Sequence, residues 1–243
     1  MISIIIPTLN EEEGIAKVIC SIPEKIRKKS EVIVVDVSDD MTPLIAERLG
    51  AKVIRAGKKG KGRQMRLAAK EAKGDILVFL DGGGEDPAQY IPDLIKELKH
   101  ANLVLGSHTD KRFKEDDKMM RETYKLYQFF VVPLFRLIDL KIADPLAGFR
   151  AIRRKDWDRL NLESNDFEIE IEMNIKAMKQ GFTIKEVPIP YLTRGGGLRN
   201  SKFIFNPKEW FKVSKVSLKY LKDGKLKSKL RNFESKIKSK IKF

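Results

Sequence analysis

Apolar residues fall into short blocks with polar turns between them. Ser3-Ile4-Ile5-Ile6-Pro7, Glu31-Val32-Ile33-Val34-Val35-Asp36, Lys52-Val53-Ile54-Arg55, Ile76 to Leu80 and Leu103-Val104-Leu105-Gly106-Ser107 read as strands. Most are unbroken rather than alternating, the pattern of strands buried on both faces. Helical spacing fills the intervals: Ile15, Val18, Ile19 and Ile22; Leu44 to Leu49, closed by Gly50; Gln64 to Lys73, stopped by Gly74; and Tyr90 to His100. Alternation of this kind predicts an α/β fold with a mostly parallel sheet and helices on both faces, a three-layer α/β/α arrangement. The second half is less regular. A charged segment at 110–121 leads into an apolar, aromatic one at 124–140, and Ala151-Ile152 reads as a strand. A helix spans 166–179, and Thr183 to Ile189, with its proline, reads as an edge strand. A glycine-rich basic loop runs from Thr193 to Lys202.

Ligands of open α/β sheets bind beyond the carboxyl ends of the strands. Three strands deliver candidate groups there: Pro7 to Glu11, Asp36 and Asp81. Asp81 opens a run of three glycines that leads to Glu85 and Asp86. Carboxylates so placed suit a hard divalent cation carrying a diphosphate. Acidic Glu11-Glu12-Glu13 also suits the first turn of a helix. The Gly57 to Arg63 loop, rich in lysine, reads by itself as a solvated basic turn. It is not a Walker loop, because no Ser or Thr follows its lysine. Glu168 and Glu170 read as a solvated helix face.

Composition narrows the classes. The chain of 243 residues carries a net charge of +15 and one cysteine, Cys20, which reads as a small core hydrophobe. One cysteine and two histidines exclude an internal disulfide and a structural zinc site. The charge is concentrated in the tail, where residues 207–243 hold 13 Lys/Arg against 3 Asp/Glu. Trp210, Phe211, Val213, Val216, Leu218, Tyr220 and Leu221 leave the lysines on one remaining arc of a helix. Leu226, Leu230, Phe233, Ile237 and Ile241 then form a narrow stripe beyond Asp223-Gly224. Basic amphipathic helices of this kind suit an anionic membrane surface. No stretch has the ~18 apolar residues of a spanning helix. The tail could support a remoter alternative, a basic nucleic-acid-binding protein without enzyme activity, but no reading motif accompanies the charge and nucleic acid is not expected as a partner. The first strand lacks a G-x-G-x-x-G turn, which excludes a Rossmann dehydrogenase.

Taken in order, Ile5-Ile6-Pro7-Thr8-Leu9-Asn10-Glu11-Glu12, Val34-Val35-Asp36, Lys59-Gly60-Lys61-Gly62, Gly74-Asp75 to Asp81, Asp144-Pro145 to Gly148-Phe149-Arg150, Glu186-Val187-Pro188-Ile189, and Arg194 with Ser201-Lys202 resemble glycosyltransferase family 2. These are inverting enzymes of GT-A fold, and the likeness is greatest to polyprenyl-phosphate sugar synthases of the dolichyl-phosphate mannose type. It covers about residues 1–205, leaving 206–243 as a basic helical tail. The resemblance implies a nucleotide-sugar donor, a polyprenyl (dolichyl) phosphate acceptor and Mg²⁺ or Mn²⁺. The basic amphipathic tail adds the expectation of a peripheral enzyme on the cytoplasmic face of the membrane. Pro7, Leu9 and Glu11 would line the nucleotide pocket, and Asp36 would bind base or ribose. Asp81 would be the first acid of the D-x-D motif, and Glu85 or Asp86 would complete the metal set. Arg121, Arg150, Arg194 and Lys202 would hold phosphates of donor or acceptor. The sequence departs from the family in three places: Asp81-Gly82-Gly83 lacks the second acid, Val37 stands where a second Asp is common, and His108 stands where Arg is usual. A family member acting on a soluble or glycan hydroxyl would instead need a carboxylate base, for which Glu168 and Glu170 are candidates.

Overall fold

The computed structural model describes residues 1–108 and 142–196, together with Lys208, Lys212 and Lys215. The segments at 110–121 and 124–140, Arg121, Lys202 and the tail stripe lie outside the described residues. Seven strands form one sheet in the order β3-β2-β1-β4-β6-β5-β7. They are β1 (Ile2–Thr8), β2 (Ser30–Asp36), β3 (Lys52–Arg55), β4 (Ile76–Phe79), β5 (Leu103–Ser107), β6 (Arg150–Arg153) and β7 (Ile184–Pro188). All pairings are parallel except those of β6, which runs antiparallel between β4 and β5. Ile5 sits opposite Ile33 on one side and Phe79 on the other.

The unbroken apolar runs are explained by two cores. Ile5, Ile33, Val35, Leu77 and Phe79 face one layer, made by α4 (Lys61–Glu71), α6 (Arg154–Leu160) and α7 (Ile169–Lys179). Ile4, Ile6, Val32, Val34 and Val78 face the other, with α1 (Ile15–Cys20), α3 (Thr42–Arg48) and α5 (Ile91–Glu97). A short α2 (Glu24–Arg27) and a 3-10 turn (Ala88–Tyr90) complete these elements. Successive residues of a strand point to opposite faces, so a strand covered on both must be apolar throughout. On the first face Phe79 stacks on Trp157 with ring centroids 4.8 Å apart.

Several local expectations change. α1 begins at Ile15, after the acidic run, and has no acidic residue in its first turn. Glu11 is thereby released from capping to serve in a loop. Cys20 is exposed rather than a core residue. The buried face of α1 is Ile15, Val18 and Ile19, and one further step of ~100° carries Cys20 off it. Helix α6 has no legible period, because five of its seven residues are charged; Asp156, Trp157 and Leu160 are its buried positions. β7 is an edge strand as expected.

Arg154 closes the end of α4. Its guanidinium donates to the carbonyls of Ala69 (2.8 Å), Ala72 (2.7 Å) and Gly74 (2.9 Å). These carbonyls lie at or just past the helix end, where acceptors lose their intrahelical donors and the dipole favours a cation. Arg154→Ala is expected to lower stability by about 2 kcal/mol. Urea unfolding checks this as a lower midpoint with an unchanged slope.

Candidate active site

The carboxyl ends of β1, β2, β4 and β5 share one edge of the sheet, and antiparallel β6 begins there. Asp36 and Asp81 therefore come from strands on either side of β1, as the sequence suggests. The loops after β1 and β2 are joined by Asn10 N–H to Ser38 Oγ (2.7 Å) and Glu11 N–H to Thr42 Oγ1 (2.8 Å). Gln64 of α4 donates to the carbonyls of Thr8 and Val35, fixing both strand ends.

Asp36 is fully buried. It accepts hydrogen bonds from Thr8 Oγ1 (2.7 Å), Ser38 N–H (3.0 Å) and Ser38 Oγ (2.5 Å), and pairs with Arg55. Each oxygen thus has two donors. An open pocket of about 470 Å³ lies beside it, lined by Ser38, Asp39, Asp40, Pro43, Leu44, Glu47 and Arg55. Asp36 orders this pocket through Ser38 and Arg55 and does not itself line it. Pro7 is buried within β1 opposite Val35, while Leu9 and Glu11 are partly exposed at the loop.

Asp81 has a side chain 34% exposed and lies 2.5 Å from Lys61 Nζ. Lys61 is also 2.5 Å from Glu170 Oε1, and its own side chain is 10% exposed. The loop read as a solvated turn therefore ends in a buried cation. Gly60, at φ +138°, and Gly62 make this possible, because Gly60 abuts the backbone of Asn165 and Gly62 that of Ser164 and Asn165. Glu170 is likewise buried instead of solvated, and so are Glu168 and Glu172. Glu168 and Glu172 accept backbone N–H groups of residues 163–166. Burial would raise the Asp81 carboxyl; Lys61 first, then Arg194 and Arg150, outweigh it and hold Asp81 below its ordinary range. Glu170 is raised by burial in spite of Lys61. Gly148 packs so tightly on Asp81 that a Cβ there would lie 2.5 Å from Oδ2.

Arg194 is buried and bridges Glu11 and Glu85. Gly195 N–H to the Gly83 carbonyl (2.8 Å), Leu192 N–H to the Glu85 carbonyl (3.0 Å) and Lys17 Nζ to the Thr193 carbonyl (2.7 Å) complete the crossing. Residues 192–195 thus cross over the glycine turn. Arg150 differs from expectation. It is fully buried, donating to the carbonyls of Ala147 (2.5 Å), Pro145 (3.0 Å) and Glu170 (3.0 Å) and to Asn174 (2.9 Å). It braces the turn before β6, and no phosphate reaches it in this arrangement.

Asp86 is 4% exposed, and its Oδ2 accepts the N–H of Asp81 at 3.1 Å. Its other oxygen faces His108 Nε2 at 3.6 Å, while His108 Nδ1 lies 3.3 Å from Asp144. Asp86 therefore braces the turn through the Asp81 N–H, with both of its oxygens facing protein groups. Among the described residues no three His, Cys, Asp or Glu side chains gather as a metal set. A cation borne by a diphosphate needs only one or two carboxylates from the protein. Asp81 and Glu85 fit that smaller demand. Glu85 Oε2 is buried and has no hydrogen-bond partner among the described residues. The sequence reading noted Lys61 and Gly148 as parts of the family pattern and His108 as a departure from it, but gave none of the three a role in the site.

Burial, then Asp81, pushes the Asp86 carboxyl up to about 7. Its folded-state pKa lies above the unfolded one of ~3.9, so folding takes up a proton between the two. The resulting stability is complete below pH ~4 and is lost as pH rises through about 7. Asp86→Asn is expected to flatten that decline. Chemical unfolding from pH 4 to 8 measures it.

A protein-family model described as Glycosyl transferase family 2 matches residues 3–160. A dolichyl-phosphate hexose transferase of Haloferax volcanii is 28% identical over 202 residues, covering 83% of this chain and 87% of that protein. A dolichol-phosphate mannosyltransferase of Pyrococcus furiosus is 31% identical over 209 residues, covering 81% of this chain and 58% of its own length. Glucosyl-3-phosphoglycerate synthase of Mycobacterium tuberculosis, solved with Mn²⁺, uridine diphosphate and phosphoglyceric acid, superposes with a TM-score of 0.68 at 24% identity, over 91% of this chain and 77% of that one. At that identity the likeness speaks to the fold, which is GT-A-like. The family match spans well over half of the residues and contains the β1, β2 and β4 ends built above, so this chain is a glycosyltransferase of family 2.

Proposed function

We propose that the chain transfers a sugar from a nucleotide-sugar to a polyprenyl phosphate, with inversion at the anomeric carbon. The carrying observation is that the acids around Asp81 are already held against cations, Asp81 and Glu170 against Lys61, Glu11 and Glu85 against Arg194. Asp81, the most exposed of the acids paired there, is held below its ordinary range, which makes it a weak base. Glu170, Glu11 and Glu85 are each committed to a cation. A hydroxyl acceptor needs a base in the transition state. A phosphate monoester does not, because its second pKa is ~6 and it is anionic at neutral pH. The Haloferax and Pyrococcus relatives, named for dolichyl and dolichol phosphate, support the same reading.

The chemistry is a single displacement. A phosphate oxygen of the acceptor forms the bond to the anomeric carbon as the bond to the donor's diphosphate breaks. The protein's task is positioning and charge neutralisation. The pocket beside Ser38 and Arg55 takes the nucleoside. Asp81 and Glu85 would hold Mg²⁺ or Mn²⁺, which supplies positive charge to the leaving diphosphate. Lys61 lies close enough to Asp81 to share that work. Arg194 carries the start of the 193–202 loop to this edge, and with Lys202 and Arg121 it is proposed to meet the acceptor phosphate.

The test is transfer of labelled sugar from a panel of nucleotide-sugars into an acid-labile, solvent-extractable lipid. Chelator should abolish it, and Asp81→Asn should lower turnover about 100-fold or more. Transfer to a sugar hydroxyl with none to the lipid phosphate would replace this reading with that of a soluble or glycan acceptor.

We also propose that residues 206–243 form a separate tail that holds the enzyme on the cytoplasmic face of an anionic membrane. No helix among the described residues is long and apolar enough to cross one. Lys208, Lys212 and Lys215 are helical, and Lys212 lies 2.5 Å from Asp166, next to the Lys61 loop. Co-sedimentation with vesicles compares the full chain with one ending at Lys222. Binding of the full chain to anionic but not neutral vesicles, lost on truncation, is the expected result. Equal binding by both would move the anchor away from the distal stripe.

A further inference from the structure

We propose that Lys61 is a built-in counter-ion for Asp81, keeping a bare divalent ion out and yielding only to one carried by a diphosphate. The inference rests on the donor diphosphate binding at Asp81. Three features of the Lys61 environment lead to it. The ammonium is shared, at 2.5 Å from Asp81 and 2.5 Å from Glu170. It is nearly out of solvent, and the ring of Phe167 lies 5.4 Å from it. Its backbone is fixed, because Gly60 and Gly62 on either side abut the 164–165 backbone and Arg63 N–H donates to the Asn165 carbonyl at 3.0 Å.

Glu170 gives Lys61 a second station. It is 3% exposed and sits in the first turn of helix α7, which is anchored in the core by Ile169, Ile171, Met173 and Ile175. Losing Lys61 altogether would leave two carboxylates facing each other in a site of low polarity, which is costly. Turning toward Glu170 frees Asp81 and leaves Glu170 paired. A bare ion gains little from this exchange. It must displace an ammonium already in contact, and the protein offers it only one or two carboxylates in place of its own waters. A diphosphate changes both terms. It brings oxygen ligands for the ion and anionic charge that Lys61 can contact in place of Asp81. The chain's own cation thereby couples ion entry to donor entry.

The experiment follows Mn²⁺ binding by the loss of the free-ion paramagnetic signal. Wild type, Lys61→Met and Lys61→Arg are compared, first with Mn²⁺ alone and then with uridine or guanosine diphosphate. Lys61→Met should bind Mn²⁺ alone about tenfold or more tightly than wild type, because the competing charge is gone. The diphosphate should raise Mn²⁺ affinity far more in wild type than in Lys61→Met. Lys61→Arg, which keeps the charge, should again exclude the bare ion. Thermal unfolding confirms that each variant is folded, and Lys61→Gln replaces Lys61→Met if that one is not. Equal affinity for Mn²⁺ alone in wild type and the neutral variant, with nucleotide binding still Mn²⁺-dependent, overturns the counter-ion and leaves the donor reading intact. Wild type without Mn²⁺-dependent nucleotide binding overturns the donor reading and this proposal with it.

Discussion

Two long cations hold the functional edge of the sheet together. Lys61 stands between Asp81 and Glu170, and Arg194 between Glu11 and Glu85. Burying a charge costs several kcal/mol, and only close partners offset the cost. Each cation therefore needs its carboxylates, and each carboxylate its cation. The residues that form these pairs come from distant parts of the chain: the loops after β1, β4 and β7, and the first turns of α4 and α7. The sheet supplies the platform, but the paired charges decide where the turns above it rest. The same pairing keeps the carboxylate of Asp81 below its ordinary range, which makes it a poor base.

The layers were legible because the sheet is covered on both faces. β1, β2 and β4 must be apolar at every position, and that is a local signal. Strand ends carrying Asp36 and Asp81 were equally plain, since a carboxylate following an apolar run has few other uses. Partnership was not legible. Lys61 in a lysine-rich turn looks like Lys58 and Lys59, which are exposed. Only the close approach of Gly60 and Gly62 to residues 164–165 separates it, and that approach is a long-range fact. Glu170 sits in a run of alternating acids, Glu168, Glu170 and Glu172, a pattern that suggests solvent. All three are buried, two of them to receive backbone donors of the preceding loop. Arg150 illustrates the converse. The family pattern marks it for phosphates, whereas four protein acceptors absorb its guanidinium. A charged residue's position along the chain tells that it matters, and only its partners tell for what.

The missing second acid of the D-x-D motif has a physical reading in the same terms. A Cβ on Gly83 would overlap the guanidinium of Arg194 and Oε2 of Glu85. The space a side chain at that position would enter is thus already filled by a carboxylate and its counter-ion. Glu85 reaches it because Gly84, at φ +85°, turns the chain back on itself, a conformation that favours glycine. Gly82 and Gly83 also lie against Gly14 so closely that a Cβ on Gly14 would meet their carbonyls at 2.7 Å or less. The three glycines are therefore part of an exchange, not a gap in the motif. They remove one acid from position 83 and bring another into the same volume from position 85. That second acid arrives already paired with Arg194, the residue that fastens the start of the basic loop. The glycine turn after β4 and the start of the loop after β7 thus meet in one ion pair.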